Sequence, residues 1–294
     1  MSQYDFIVLG GGHNGLISAG YLGKAGFKVC VLEANEEFGG GTRSGEVCAP
    51  GYISDLGGMV HSMISRNPLI ANDELELQSK YELNYIPVTN LCASIFPDDT
   101  CLVIDTDIDK TCENIAQFSE KDADAYRKFN KHITDMLKVA RVGTDSPPPT
   151  WSLMQSALGS SPEGREFIRV MNCSAQNIVE EWFESEQLRV TLTRWTTEMM
   201  INPQAIGTAT LLYFIAWVHQ MRAPIPEGGA KKMIESLIAC CEDKGATLRT
   251  NSKVVKVNVA SGEAKSVVLE DGEEIFASKG IISTINAKDL YGAI

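Results

Sequence analysis

The sequence has no C-x-x-C pair and no cysteine or histidine spacing of a zinc site, although it carries 8 cysteines and 4 histidines. That excludes the common structural metal modules and redox dithiols. Cys30 falls in a predicted buried strand and the adjacent Cys240 and Cys241 on a predicted helix, so the thiols read as reduced, mostly buried and cytoplasmic. A basic cluster is missing as well. Lys and Arg total 26 against 38 Asp and Glu, a net charge of −12, and a chain without a basic stripe is not expected to bind nucleic acid. Its longest apolar run, residues 211–218 (LLYFIAWV), falls far short of a bilayer span. With no basic amphipathic helix either, membrane contact is peripheral at most. A predicted strand starts at residue 4, which leaves no room for a signal or transit peptide. What is there, 44% hydrophobic and 22% charged over 294 residues, is the composition of a globular chain able to fill one large or two modest domains.

Residues 4–9 (YDFIVL) are an apolar run of strand length, followed at once by Gly10-Gly11-Gly12-His13-Asn14-Gly15, which fits G-x-G-x-x-G. Residues 16–25 read as a helix and 28–32 (KVCVL) as a second strand ending on Glu33 and Ala34. This order is the grammar of a dinucleotide site. Gly10 permits the tight turn, Gly12 lets backbone approach a pyrophosphate, and Gly15 lets helix and strand pack closely. The helix N-terminus adds unpaired N–H groups and partial positive charge. Glu33 stands where an acid gripping the ribose hydroxyls is expected. Leu16, Ala19, Gly20 and Gly23 form a stripe of mostly small residues suited to packing on a sheet.

Two more glycine-dense segments follow: residues 38–44 (FGGGTRS) and 51–58 (GYISDLGG). Backbone of this kind bends sharply or approaches a ligand, and two such segments after the fingerprint suggest a long cofactor lying across several loops. From about Asn67 the pattern turns helical. Ser119 with Asp122 suggests a capping box ahead of an apolar stripe of Tyr126, Phe129, Ile133, Met136 and Ala140. The prolines of 143–150 (GTDSPPPT) predict a loop or linker. Residues 178–195 read as one helix, with Trp182 and Phe183 on its apolar side, and 211–221 as a buried helix that packs the core or lines a greasy cavity. After Pro226-Glu227-Gly228-Gly229 the grammar returns to α/β. It gives a helix, strands over 247–259 and 265–269, a turn at Asp271-Gly272, and a buried strand at 280–284. Residues 71–225 therefore read as a mainly helical α+β insertion between two parts, 1–70 and 226–294, of one Rossmann-like domain with a parallel βαβ sheet and a β-hairpin layer.

These segments together resemble the phytoene-desaturase-like, phytoene dehydrogenase-related branch of the flavin amine-oxidase superfamily. The resemblance rests on VLGGGHNGLISAGYL, FGGGTRSGE and GYISDLGG, then on IAQFSEKDADAYRKF, EEWFESEQLRVTL, IPEGGAKKMIESL and VVLEDGEEI, and so runs over nearly the whole chain. It implies FAD, a choice the glycines alone leave open against NAD. By the same resemblance Gly10, Gly12, His13, Asn14 and Gly15 would cradle the pyrophosphate, and Glu33 would hold the adenosine ribose. Gly40, Gly41, Thr42 and Arg43 would form a second phosphate-side loop. Relatives often carry arginine directly after the double glycine; here that position is Gly41, with Arg43 two residues on. Asp55, Gly57 and Gly58 match the loop running toward the flavin, and Val254 the strand position whose backbone meets adenine. Relatives also continue past the point matching Ile294, with a segment that covers the flavin, so the expectation is either that a second polypeptide or another copy completes the site or that the chain is a truncated fragment.

The resemblance implies hydride transfer from a hydrophobic substrate to flavin, in a dehydrogenase, desaturase or isomerase. No acid–base pair stands out. His61, close after Gly57-Gly58, and His219, in the apolar helix, read as structural, and no catalytic residue is nominated. A non-catalytic dinucleotide-binding subunit acting by association, and an NAD(P)-dependent dehydrogenase, are the competing readings.

Overall fold

The computed structural model describes residues 3–144, 147, 149–220 and 223–292. In chain order these form β1 (Gln3–Leu9), α1 (His13–Lys24), β2 (Val29–Leu32), β3 (Ser44–Glu46), β4 (Ile53–Asp55), α2 (Pro68–Ala71), β5 (Tyr85–Val88), β6 (Asn90–Ile95) and β7 (Cys101–Asp105). The helices α3 (Ile108–Ala116), α4 (Glu120–Thr144), α5 (Trp151–Gly159), α6 (Pro162–Met171), α7 (Ala175–Trp182), α8 (Glu186–Glu198) and α9 (Tyr213–Gln220) follow. The chain then runs through β8 (Ala223–Pro226), α10 (Lys231–Asp243), β9 (Thr247–Arg249), β10 (Val254–Ala260), β11 (Glu263–Leu269), β12 (Glu274–Ser283) and α11 (Ala287–Gly292). It divides into two compact units: residues 1–87 with 224–294, and residues 88–223.

The first unit is built on a six-stranded sheet of order β10-β11-β12-β1-β2-β9. β12, β1, β2 and β9 are parallel, while β10 and β11 extend the same sheet as an antiparallel hairpin through β12. Side chains alternate across a strand. Val8 and Val31 therefore face a core that includes Leu16, Ala19 and Leu237, and Ile7, Leu9, Cys30 and Leu32 face one that includes Val267 and Ile275. Burial on both faces explains why β1 and β2 read as nearly continuous apolar runs. The small-residue stripe of α1 serves close packing, but against α10 and Leu75 rather than the sheet alone. A Cβ on Gly20 would lie 2.8 Å from Leu75, and the Cys241 thiol donates to the Leu16 carbonyl at 3.2 Å. The unit reaches Pro87, beyond the boundary read at residue 70, because Leu75, Leu77 and Leu83 are buried in its core.

The continuous strand read over 247–259 is two strands, β9 on one edge of the sheet and β10 on the other. Asn251, at φ 49°, turns the chain between them, a conformation asparagine tolerates.

The second unit is mainly helical, with one antiparallel hairpin, β6–β7. Tyr126, Phe129, Ile133 and Met136 of α4 are buried as their spacing predicts, and the side chain of Ala140 lies outside the described residues. Ser119 caps α4, accepting from the Asp122 N–H at 3.1 Å. Asp122 does not reach back to complete a box. Its carboxylate accepts from the N–H groups of Glu184 and Ser185 at 2.9 and 2.7 Å, which is where the helix read over 178–195 breaks into α7 and α8. Of the expected loop at 143–150, residues 143 and 144 finish α4, 147, 149 and 150 are irregular, and 145, 146 and 148 lie outside the described residues. The buried helix read over 211–221 begins at Tyr213 as α9, and Met221 lies outside the described residues.

Candidate functional site

The first unit brings the three glycine segments together. β1 ends at Leu9 and the chain turns through Gly10, at φ 96°, into α1. Gly12 is the N-cap and no side chain caps the helix, so first-turn N–H groups remain for a ligand. Gly15 admits no other residue without movement, since a Cβ there would sit 2.0 Å from the Gly10 carbonyl oxygen. Thr284, just past β12, fastens the turn by donating to the Leu9 and Gly10 carbonyls at 3.0 and 3.2 Å.

Glu33 is buried at the end of β2, only 6% exposed. Its Oε2 accepts from the Gly11 N–H at 2.8 Å, and its Oε1 from the backbone and side chain of Asn35 at 2.9 and 2.6 Å. The Phe38 ring packs on Gly11, where a Cβ would meet it at 2.2 Å. Neither Asn35 nor Phe38 was singled out by the sequence. Ala34 is exposed and lines a recess of about 370 Å³ with Asn251, Lys253 and Leu269. Val254 opens β10 opposite Leu269, two residues past Ser252, whose N–H donates to the Glu33 carbonyl at 2.8 Å.

The second segment docks on the first. Gly39 donates to the Gly11 carbonyl at 2.9 Å, and the buried Thr42 hydroxyl lies 3.2 Å from His13 Nδ1. Burial lowers the His13 pKa, favouring the neutral ring. Gly40 and Gly41 are exposed, as is Asn14. Arg43 lines a recess of about 240 Å³ with Phe38, Lys231 and Ile234.

The third segment closes on the second. Gly58 donates to the Gly41 carbonyl at 3.3 Å, and a Cβ on Gly57 would lie 2.1 Å from that oxygen. Asp55 accepts from the Ser44 hydroxyl at 2.5 Å and the Ala230 N–H at 2.9 Å, and the Lys231 N–H donates to Ser44 at 3.1 Å. In this arrangement Asp55 ties the β3–β4 hairpin to the start of α10. His61 is buried against Tyr85, whose hydroxyl lies 3.1 Å from Nδ1. His219 belongs to the other unit, where it meets the Tyr126 hydroxyl at 2.9 Å and the Thr106 carbonyl at 3.2 Å.

The donor set suits a dinucleotide: bare helix N–H groups for phosphates, and an ordered carboxylate for ribose hydroxyls. Among the described residues no group of acidic, histidine or cysteine side chains could hold a metal ion. All eight cysteines are free, and among the described residues no helix is long and apolar enough to cross a membrane.

The family described as flavin containing amine oxidoreductase matches residues 15–292. The chain belongs to that family. Its cofactor is accordingly FAD, which the donor set above fits. The chain is similar to pyridine nucleotide-disulfide oxidoreductase domain-containing protein 2 of Rattus norvegicus, at 26% identity over 302 residues, covering 93% of this chain and 52% of that protein. It is also similar to a hydroxyneurosporene desaturase of Rhodobacter capsulatus, at 28% identity over 278 residues, covering 93% of this chain and 55% of that one. The chain thus spans about half the length of the curated relatives it matches. Wild-type putrescine oxidase bound to putrescine shares the fold, with a TM-score of 0.64 at 16% identity, covering 95% of this chain and 57% of that structure.

Proposed function

We propose that this protein is an FAD-dependent oxidoreductase, of dehydrogenase, desaturase or isomerase type, that takes hydride from a hydrophobic substrate. The observation that carries the reading is the meeting of three glycine segments beside an uncapped helix N-terminus and a buried carboxylate. In it, the N–H groups of the turn through Gly10, Gly12, His13, Asn14 and Gly15 bind the pyrophosphate. Glu33 accepts from ribose hydroxyls, and Ala34 and Val254 border the adenine. Gly40, Gly41, Thr42 and Arg43 form the second phosphate-side loop, and Asp55, Gly57 and Gly58 the loop toward the flavin. The bound flavin supplies the hydride acceptor, while the chain's part is to bind, orient and exclude water. The helical unit takes the substrate, and the desaturase relative supports a hydrophobic one.

The reading includes a second polypeptide, or a second copy of this chain, that completes the flavin site. Val47, Tyr52, Ile53 and Met63 in and after the β3–β4 hairpin are each more than 60% exposed, an apolar surface suited to association. The same patch favours the alternative of a non-catalytic dinucleotide-binding subunit. The cytoplasm is the proposed compartment, supported by the free cysteines.

An absorption spectrum of the purified chain, with and without added FAD, tests the proposal. Flavin bands that a reductant bleaches are expected, with no competition from NAD(H). A colourless protein that ignores added FAD overturns it, and a bound flavin that no candidate substrate reduces favours the non-catalytic subunit.

A further inference from the structure

The third glycine segment has little burial to hold it, since Leu56, Gly57, Gly58 and Met59 are all exposed. A segment with so few buried apolar contacts opens readily unless polar contacts fix it. Here it is laced to the second segment. Ser44 pairs with Asp55 across the β3–β4 hairpin, the Leu56 N–H donates to the Arg43 carbonyl at 2.8 Å, and the Gly58 N–H reaches Gly41. The laced pair is anchored in turn on the start of α10. Asp55 Oδ1 accepts from the Ala230 N–H at 2.9 Å and from the Ser44 hydroxyl at 2.5 Å, and Ser44 Oγ accepts from the Lys231 N–H at 3.1 Å.

The arrangement is chemically consistent throughout. The Ser44 hydroxyl gives its one proton to the carboxylate and receives the helix N–H on a lone pair. Ala230, the N-cap of α10, has no capping side chain of its own, and a carboxylate suits the positive end of the helix dipole. Gly228 and Gly229, both at φ 88°, turn the chain into the helix. Glycine at 229 also makes room, because a Cβ there would lie 3.0 Å from Asp55 Oδ1 and 3.3 Å from Ser44 Oγ. We propose that Asp55 is a positioning residue of the cofactor site: with Ser44 it caps α10 from a distant hairpin and so sets the second and third glycine segments, acting through the loops rather than on the ligand. The proposal rests on the reading that these segments hold FAD.

The test compares wild-type protein with Asp55→Ala, Asp55→Asn and Ser44→Ala. Asparagine keeps an oxygen for the Ala230 N–H and the Ser44 hydroxyl but loses the charge. The first readout is hydrogen exchange without flavin at three amides: Ala230 at the cap, Leu56 in the third segment and Thr42 in the second. The second readout is FAD affinity. In Asp55→Ala all three amides should exchange faster and FAD should weaken by about tenfold, the scale of one lost hydrogen bond to a charged group. Asp55→Asn should rescue the protection and bring affinity back to within about threefold, a neutral acceptor being the weaker one. Ser44→Ala keeps the Asp55–Ala230 bond, so it should give a smaller effect of the same sign, and it serves if Asp55→Ala does not fold. Faster exchange confined to residues 230–231 in both alanine variants reduces the pair to a helix cap and overturns the proposal. So does an Asp55→Asn protein with wild-type protection but the affinity of Asp55→Ala, because the carboxylate then acts on the ligand. If wild-type protein binds no FAD but the exchange pattern holds, the cofactor reading fails and the positioning role stands.

Discussion

The Glu33 carboxylate and the Gly11 N–H, 2.8 Å apart, join the end of β2 to the first glycine turn. The contact sets the turn and presents a carboxylate at the same time, so shape and ligand chemistry depend on one side chain. Because Glu33 and Gly11 are buried, removing the carboxylate strands the Gly11 N–H without its acceptor and releases the exposed Asn35.

Glu33→Ala should therefore cost about 1–3 kcal/mol of stability, the range for a buried donor left unpaired. FAD affinity should fall by about 10–100-fold, as expected when hydrogen bonds to a charged group are lost. Chemical denaturation and flavin fluorescence titration check the two effects separately. Unchanged affinity would place the ribose elsewhere.

The glycines of the loops are not equivalent. Gly15→Ala would set a methyl 2.0 Å from the Gly10 carbonyl oxygen, whereas a Cβ on Gly41 meets nothing within 4 Å. Overpacking of that kind typically costs about 1–3 kcal/mol, and a tolerated surface change stays within about 0.5 kcal/mol. Gly15→Ala should lower the urea midpoint clearly and Gly41→Ala hardly at all. A fall in FAD affinity for Gly41→Ala at unchanged stability would mark Gly41 as a ligand-facing position.

What could be read from the sequence follows the range of the forces involved. Gly10 and Gly15 are legible because local sterics dictate glycine, and Glu33 because it ends an apolar run. The contacts of Asn35 and Phe38 were illegible because their partners, Glu33 and Gly11, are met only when the turn closes. The break between α7 and α8 was likewise illegible: Asp122, far away in sequence, satisfies the N–H groups there. Asp55 is named through the resemblance, as part of the loop running toward the flavin, and its hydrogen bonds to Ser44 and Ala230 are contacts that no local pattern announces. Periodicity reports burial, and it cannot report which distant backbone a polar side chain will reach.

Asp122 gives the helical unit its own test. It is 1% exposed and accepts from two backbone N–H groups and the Ser185 hydroxyl. Asp122→Ala should destabilise that unit by about 2 kcal/mol, since three part-buried donors lose a charged acceptor. Asp122→Asn, which keeps one carbonyl, should cost roughly half of that. Hydrogen exchange should show the loss concentrated at residues 183–188, and a loss spread evenly over the unit would count against a local cap.

His219 predicts a pH dependence whose sign can be worked out. Burial holds its pKa below the ordinary 6.5, with the Thr106 carbonyl and Asp105 and Asp107 opposing. Nε2 faces the Tyr126 hydroxyl, which burial keeps protonated and therefore a donor, and Nδ1 faces the Thr106 carbonyl, so the neutral ring satisfies both partners. A lowered folded-state value means the unfolded chain binds more protons between that value and 6.5. The stabilisation is thus complete above pH 6.5, declines as pH falls below it, and levels off once the folded-state value is passed. His13 and His61 add to the same slope in the other unit. A urea-midpoint series should fall through this window for wild-type protein and fall less for His219→Gln, which cannot titrate. An equal slope in the variant would remove His219 from the pH response and leave it to the other two histidines.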